Sequence, residues 1–224
     1  MNRRFLPRAA SALLILATAA APAVLAQNPA PLSQNSAARA SQEDTMRVVQ
    51  EVQKKLAGLS TQSVFDWLTF DIKSGVLTIN GFASRPVLKE DAGRAVKNIQ
   101  GIISVNNQIK VLPYSPNDDR IRAEVYNRIY TQGTLRKYNA NQGSLGRAIG
   151  PGAGIALAAG GITNTPPLGF HAIHIIVDNG HVSLYGEVLN KTDSQIAGMQ
   201  ANSAPGAFSV DNNLVVQGQS TQPK

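Results

Sequence analysis

An internal repeat constrains the fold of this chain more than any other feature. Residues Phe65–Val111 align with Phe170–Val216 without a gap, at an offset of 105 residues. Apolar positions keep their type between the two copies, which predicts one small fold built twice. Several glycines also recur, and we interpret them as structural because they fall at turns, strand ends and close helix–sheet approaches. They are Gly75 and Gly180, Gly81 and Gly186, Gly93 and Gly198, and Gly101 and Gly206.

Each copy has the pattern of a hairpin followed by a helix and a last strand. Apolar and polar residues alternate over Leu68–Ile72 and again over Leu77–Ile79, which predicts two half-buried strands joined by a tight turn. Residues Val87–Ile99 then place apolar side chains at helical spacing. The stretch Ile102–Val111 predicts one further strand.

A helix precedes each hairpin, because apolar residues recur at i, i+4 and i+8. The predicted fold class is therefore α+β, with two tandem α-β-β-α-β units. Each unit forms a small three-stranded mixed sheet packed on two helices. One unit is near the lower size limit for folding alone, so we expect the two to support each other. The helical positions are Val48, Val52 and Leu56 in the first copy and Ile121, Val125 and Ile129 in the second.

The chain divides into five predicted segments. Residues 1–26 read as a signal peptide, with three arginines before an apolar run and small residues before a cut at Gln27. Residues 27–45 are predicted as a disordered linker, 46–112 and 118–217 as the two folded units, and 218–224 as a flexible tail. The second unit carries a Gly/Ala-rich insertion at about 134–165. The signal peptide predicts a secreted protein.

Charge and composition exclude several function classes. The chain has no cysteine, which excludes disulfides, thiol catalysis and lipidation of an N-terminal Cys. Signal-peptide removal lowers the formal net charge from +7 to +4, which is too small to indicate nucleic-acid binding.

Chemistry-bearing motifs are also missing from the sequence. His171 and His174 are three apart, so on a strand they would point to opposite faces, and His181 lies across the turn. No carboxylate joins them at ligand spacing, and Glu90-Asp91 reads as the start of a helix. We therefore predict no enzyme, no metal site and no cofactor.

Short motifs in both copies resemble the BON domain family. Each hairpin ends in a V-x-L-x-G-like stretch, Val76–Gly81 and His181–Gly186, and each last strand begins with G-[IA]-x-S-V-x-N, from Gly101 and from Gly206. The resemblance covers nearly all of the mature chain and is to tandem BON proteins of the periplasm and outer membrane. It implies a small α/β sandwich that binds anionic phospholipid or envelope components, with a role in envelope maintenance and no catalytic activity.

The opening helix of the second unit and its exit provide the candidate lipid-binding patch. Arginine and tyrosine recur four apart on a stripe of this helix, and a basic-aromatic run follows it, which suits an anionic headgroup interface. An ordinary solvated helix face is the alternative. The patch residues are Arg122, Tyr126, Tyr130, Arg136, Lys137 and Tyr138.

The insertion leaves a second function open. Gly146, Gly150, Gly154 and Ala158 form a small-residue ladder, but prolines and the lack of bulky side chains favour a flexible loop over a membrane- or self-associating segment. A protein–protein or assembly module of the envelope is thus the rival hypothesis, and a sensor of ions or small solutes is a third. The sequence does not fix the oligomeric state.

Overall fold

The computed structural model describes residues 32–139, 161–167 and 169–218. The predicted signal peptide, residues 27–31 of the predicted linker, 140–160 of the insertion and 219–224 of the predicted tail lie outside the described residues. Both repeats lie in one compact unit that begins at Ser41. The elements are α1 (Leu32–Ala57), β1 (Trp67–Lys73), β2 (Val76–Ala83), α2 (Pro86–Val96), β3 (Ser104–Asn107), β4 (Lys110–Val111), α3 (Pro116–Thr131), a 3-10 turn (Arg136–Tyr138), β5 (Ile173–Asp178), β6 (His181–Val188), α4 (Lys191–Asn202) and β7 (Ser209–Val216).

Two mixed sheets confirm the predicted α+β class. In each repeat an antiparallel hairpin pairs with a last strand that runs parallel to the second hairpin strand, in the order β1-β2-β3 and β5-β6-β7. The single last strand predicted for the first repeat is wrong in one respect, because it is broken into β3 and β4, which both pair with β2. The break falls at Gln108-Ile109, where the N–H of Ile109 turns to the side chain of Asn107.

Equivalent glycines hold the two hairpins in the same register. Leu68 faces Gly81 across the first hairpin and Ile173 faces Gly186 across the second. Both glycines have φ near +125°. A Cβ at either position would lie 1.9 Å from the carbonyl oxygen of residue 67 or 172. Only glycine therefore fits at these two strand positions.

A repeated asparagine joins the last strand to the second helix in each repeat. Asn107 donates from Nδ2 to Lys89 O at 2.7 Å, and Asn212 donates to Ser194 O at 2.8 Å. Gly93 and Gly198 lie opposite these side chains, since a Cβ there would approach the asparagine Nδ2 to 3.0 Å. The final N of the G-[IA]-x-S-V-x-N motif is thus a helix–strand clamp.

The first repeat has its own apolar core beneath α1. The predicted helical positions Val48, Val52 and Leu56 are buried there with Leu77 and Ile79. Helix α1 begins at Leu32, so the predicted disorder of 27–45 is wrong for 32–45, which are helical. Alanine, glutamine, arginine and glutamate favour a helix in this stretch once the core anchors its C-terminal half.

The two ends of the predicted insertion are packed rather than loop-like. Leu135, Tyr138 and Asn139 are buried at one end, and Ile162 and Thr163 are buried at the other. Residues 161–164 are helical. The loop prediction is therefore wrong for the described edges of 134–165. Within the described residues, no helix is long and apolar enough to cross a membrane.

Candidate functional site

Helix α3 carries the first half of the predicted lipid-binding patch and directs it inward. Arg122 is 1% exposed, and Tyr126 and Tyr130 are fully buried. The second sheet packs on one side of α3, while Phe65 and residues 162–163 contact another. These three side chains cannot reach a membrane surface, so this part of the prediction is wrong.

Arg122 is the centre of a buried polar cluster. Its Nη1 donates to Asp119 Oδ1 and to Thr163 Oγ1, both at 2.9 Å, and its Nη2 donates to Val177 O at 2.8 Å. Thr163 also donates to Asp119 Oδ1. The cluster ties α3 to β5 and to the far end of the insertion. It is a structural ion pair, and removing one partner would leave a buried charge unpaired.

Tyr126 belongs to a second buried network around His171. The Nδ1–H of His171 donates to Gly169 O at 2.9 Å, which leaves Nε2 to accept from the Tyr126 hydroxyl at 3.0 Å. The Asn139 amide donates to the same hydroxyl at 2.9 Å. Tyr130 donates to Ile173 O at 2.6 Å and so joins the start of β5 to α3.

The groups of this network are uncharged at neutral pH. Burial raises the pKa of Tyr126 to about 12 and raises the pKa of Tyr130 well above its usual value. Burial also lowers the pKa of His171 to about 4. Neither a cationic binding group nor a base poised near pH 7 results from this arrangement.

The second half of the predicted patch is only partly exposed. Tyr138 is buried and donates to Asp193 Oδ2 at 2.6 Å, and Lys137 Nζ lies 2.7 Å from the same oxygen. Arg136 and Lys137 remain exposed. Of the six predicted residues, these two alone keep access to solvent, and Lys137 is already paired with a carboxylate.

The segment before β1 completes the core of the second repeat. Phe65 is fully buried in that core, with its ring centroid 6.4 Å from that of Tyr126. Val64 O accepts from the N–H of Ile175 at 2.8 Å, so the segment also pairs with the outer edge of β5. Two residues of the first repeat are therefore part of the second repeat's interior.

Each repeat also contributes one cross-strand pair of aromatic residues to the contact between the repeats. Trp67 stacks on Tyr185 with centroids 5.6 Å apart and an interplanar angle of 12°. His174 lies 5.2 Å from Trp67, and Phe82 lies 6.0 Å from Tyr185. These rings join the far end of the first hairpin to the outer face of the second. Lys110 forms an ion pair with Asp178 beside them.

A cleft of about 400 Å³ opens next to this contact. Gln62 and Val64 line it from the first repeat, and Phe170, His171 and His174 line it from the second. His171 precedes β5, so the strand alternation expected to separate it from His174 does not apply. His181 lies elsewhere, with its ring against Phe208. No group of three or more metal-ligating side chains occurs in the described ranges.

Each repeat presents one large apolar side chain to solvent at the same point. Ile103 is 81% exposed and Phe208 is 82% exposed, at equivalent positions before the last strand. Their N–H groups bond to Gly75 O and Gly180 O, so both side chains stand beside the hairpin turns. Single exposed apolar residues are common on proteins, but the recurrence of this one in both repeats singles it out.

Comparison with known proteins decides the family. The family model described as BON domain matches residues 48–113 and 161–218. The chain belongs to the BON domain family. From here the two repeats are called the first and the second BON domain. No curated protein matches the sequence.

Two solved structures are similar to the tandem BON chain at 14% identity and a TM-score of 0.23. Both are of CdsD, a structural protein of the type III secretion system of Chlamydia trachomatis. The match to the C-terminal domain of CdsD covers 75% of this chain and 96% of the CdsD chain. The match to the second structure covers 76% of this chain and 92% of the CdsD chain. Membership of the BON family indicates an envelope-associated binding role towards phospholipid or protein, in a family that is generally non-enzymatic.

Sequence reasoning missed the residues that join the two BON domains. Phe65 and Phe170 align, which favours equal environments for the two rings. The signal that could have separated them is the helix stripe that carries Tyr126 and Tyr130, because its counterparts in the first domain are Gln53 and Ala57. A stripe with such different side chains in two otherwise similar copies indicates different neighbours.

Proposed function

We propose that this protein is a non-enzymatic, periplasmic binding protein that contacts anionic phospholipid surfaces through the hairpin-turn end of its first BON domain. The observation that carries the proposal is the 81% exposed side chain of Ile103 with lysines on both sides. Ile103 borders a shallow surface cavity with Lys97, and Lys73 stands at the adjacent turn. Exposed Val76 adds to the apolar surface.

An apolar tip between cations suits the boundary of an anionic bilayer. Apolar side chains enter the headgroup region, and each lysine near the surface contributes about 1 kcal/mol, which salt weakens. Lys73 lies 2.7 Å from Asp71, which offsets its charge. Lys97 forms no ion pair with any described residue and is the stronger electrostatic contributor.

The second BON domain provides the matched control. Phe208 is as exposed as Ile103. Asp178 and Asn202 stand where the first domain has Lys73 and Lys97. The second tip is thus apolar without being cationic, and we assign lipid contact to the first.

Co-sedimentation with lipid vesicles tests the proposal. The mature protein from Gln27 is mixed with phosphatidylglycerol-containing and with phosphatidylcholine vesicles, at low and high salt. We expect salt-sensitive binding to the anionic vesicles alone, reduced about tenfold by Ile103→Ser and by Lys97→Glu. Phe208→Ser and Arg136→Glu should bind like the wild type.

Two results would overturn this assignment. Absence of binding to anionic vesicles would remove the lipid function. Loss of binding in Arg136→Glu with full binding in Ile103→Ser would move the contact to the exposed remainder of the patch predicted from sequence.

A protein-binding role is the second candidate function. It is favoured by a separate observation, the outer edge of β1 in the first BON domain, with which no described strand pairs.

A further inference from the structure

The contact between the two BON domains joins an inserted segment to a receiving surface. The inserted segment is Val64-Phe65 of the first domain. The receiving surface is the outer edge of β5, where Ile175 donates to Val64 O at 2.8 Å, together with the apolar space beside Tyr126 that the Phe65 ring enters. One backbone hydrogen bond to a sheet edge is thus combined with a buried aromatic anchor.

The first BON domain has the same edge, and no described strand pairs with its outer side. β1 is the edge strand of its sheet, and its register against β2 matches that of β5 against β6. Phe70 therefore stands where Ile175 stands, with its N–H directed outward. Among the described residues no hydrogen bond equivalent to that between Ile175 and Val64 occurs on β1. An exposed edge of this kind is a template for further pairing.

An apolar groove of about 390 Å³ lies beside this edge. Leu56, Ala57, Trp67, Leu68 and Phe70 are among its lining residues. In the second domain, Tyr126 and Tyr130 line the corresponding space from α3, and Phe65 packs against Tyr126. Their counterparts on α1 are the smaller or polar Gln53 and Ala57, which leave the groove open.

The second BON domain has the equivalent aromatic side chain, and it faces solvent. Phe170 is the repeat equivalent of Phe65 but is 72% exposed. The open groove and the free Phe170 are close together on the molecule. Ala57 and Gln62 line both the groove and the cleft that Phe170 borders. An exposed aromatic side chain and an open groove that adjoin on one surface suit a two-fold symmetric contact. In such a contact each copy inserts its side chain into the groove of the other, and the assembly is complete as a dimer.

We propose that this surface is a dimer interface between two copies of the chain. The Phe170 segment of each copy seats on the β1 edge and in the groove of the other, as Val64-Phe65 seats on β5 within one chain. The partner is thus a second copy of this protein, recognised by edge-strand pairing and by one aromatic side chain per groove. This contact is independent of the lipid surface assigned above.

Sedimentation velocity of the mature protein without lipid tests the proposal over a wide concentration range. We expect a monomer–dimer equilibrium in the wild type. Phe170→Ser removes the aromatic side chain, and Ala57→Arg places a bulky charged side chain in the groove that would receive it. Each should weaken dimerisation by about tenfold or more.

Controls separate loss of the interface from loss of the fold. Ile103→Ser removes an equally exposed apolar side chain from another surface and should dimerise like the wild type. Circular dichroism should show that Phe170→Ser and Ala57→Arg are folded. A wild type that stays monomeric at the highest concentration would overturn the proposal, and so would a dimer that persists in both interface variants.

Discussion

Phe65 in the first BON domain and Phe170 in the second occupy equivalent positions of the repeat, yet Phe65 is fully buried and Phe170 faces solvent. The hairpins that follow them have the same register. What differs is the neighbour, because a second domain receives Phe65 whereas no described residue receives Phe170 in that way. The same residue at the same repeat position can therefore contribute differently to stability in the two domains of a tandem protein.

The opening helices show the same asymmetry. In the second domain α3 is packed on two sides and buries an ion pair and two tyrosines. In the first domain the corresponding positions of α1 leave a groove. The first domain has a core of its own, whereas the second shares part of its core with the first. The following variants test this comparison, from the largest expected effect to the smallest.

Phe65→Ala should lower the free energy of unfolding by about 3–5 kcal/mol, because it opens a cavity in the second domain's core. Phe170→Ala should change it by less than about 0.5 kcal/mol. Urea denaturation at a concentration that keeps the chain monomeric measures both. Equal losses in the two variants would show that the domains do not differ in this way.

Arg122→Met should lower the free energy of unfolding by about 3–5 kcal/mol, since Asp119 would remain buried without its partner. The exposed Arg120→Met is the control and should be within about 0.5 kcal/mol of the wild type. The first domain has Met46 and Val49 at the positions of the pair. The double variant Asp119→Met/Arg122→Val should therefore regain part of the loss in a thermal or urea melt. A double variant as unstable as Arg122→Met would contradict this reading.

His171 should make stability depend on pH between about 6.5 and 4. Burial lowers its pKa to about 4 in the folded chain, so only the unfolded chain binds a proton in this window. Stability attributable to His171 is therefore present above the unfolded pKa and decreases as the pH falls. From pH 7.5 to 4.5 the wild type should lose about 2–3 kcal/mol more than His171→Gln. Identical pH profiles for the two proteins would place His171 in contact with solvent.

Asn107→Ala and Asn212→Ala should have similar effects, of about 1–2 kcal/mol each. Both side chains donate to a backbone carbonyl of the helix, and Asn212 also donates to Ser194 Oγ. These positions test where the two domains are alike. A difference above about 1 kcal/mol between the two variants, measured by chemical denaturation, would show that the clamps are not equivalent.

Much of the fold follows from local patterns in the sequence. Alternation over Leu68–Ile72, helical spacing at Val48 and Ile121, and paired glycines such as Gly81 and Gly186 determine strands, helices and register. These signals depend on neighbours a few residues away. For this reason the order of elements and the α+β class could be predicted.

The surroundings of α3 could not be predicted in the same way. Arg122, Tyr126 and Tyr130 form a stripe that would suit a membrane surface if it were exposed. Whether it is exposed depends on Phe65 and on Thr163, which are far away in the sequence. Propensity and spacing carry no information about such distant partners, so the sequence pattern predicts a surface position for side chains that the structure buries.

Native-state hydrogen exchange tests most directly whether the two BON domains are one cooperative unit. Amide exchange in the β1–β2 and β5–β6 hairpins is followed by mass spectrometry at increasing urea concentrations. A second domain completed by Val64-Phe65 predicts that both hairpins open with the same free energy and the same urea dependence. Two separate openings, with the second hairpin protected after the first has unfolded, would contradict this account.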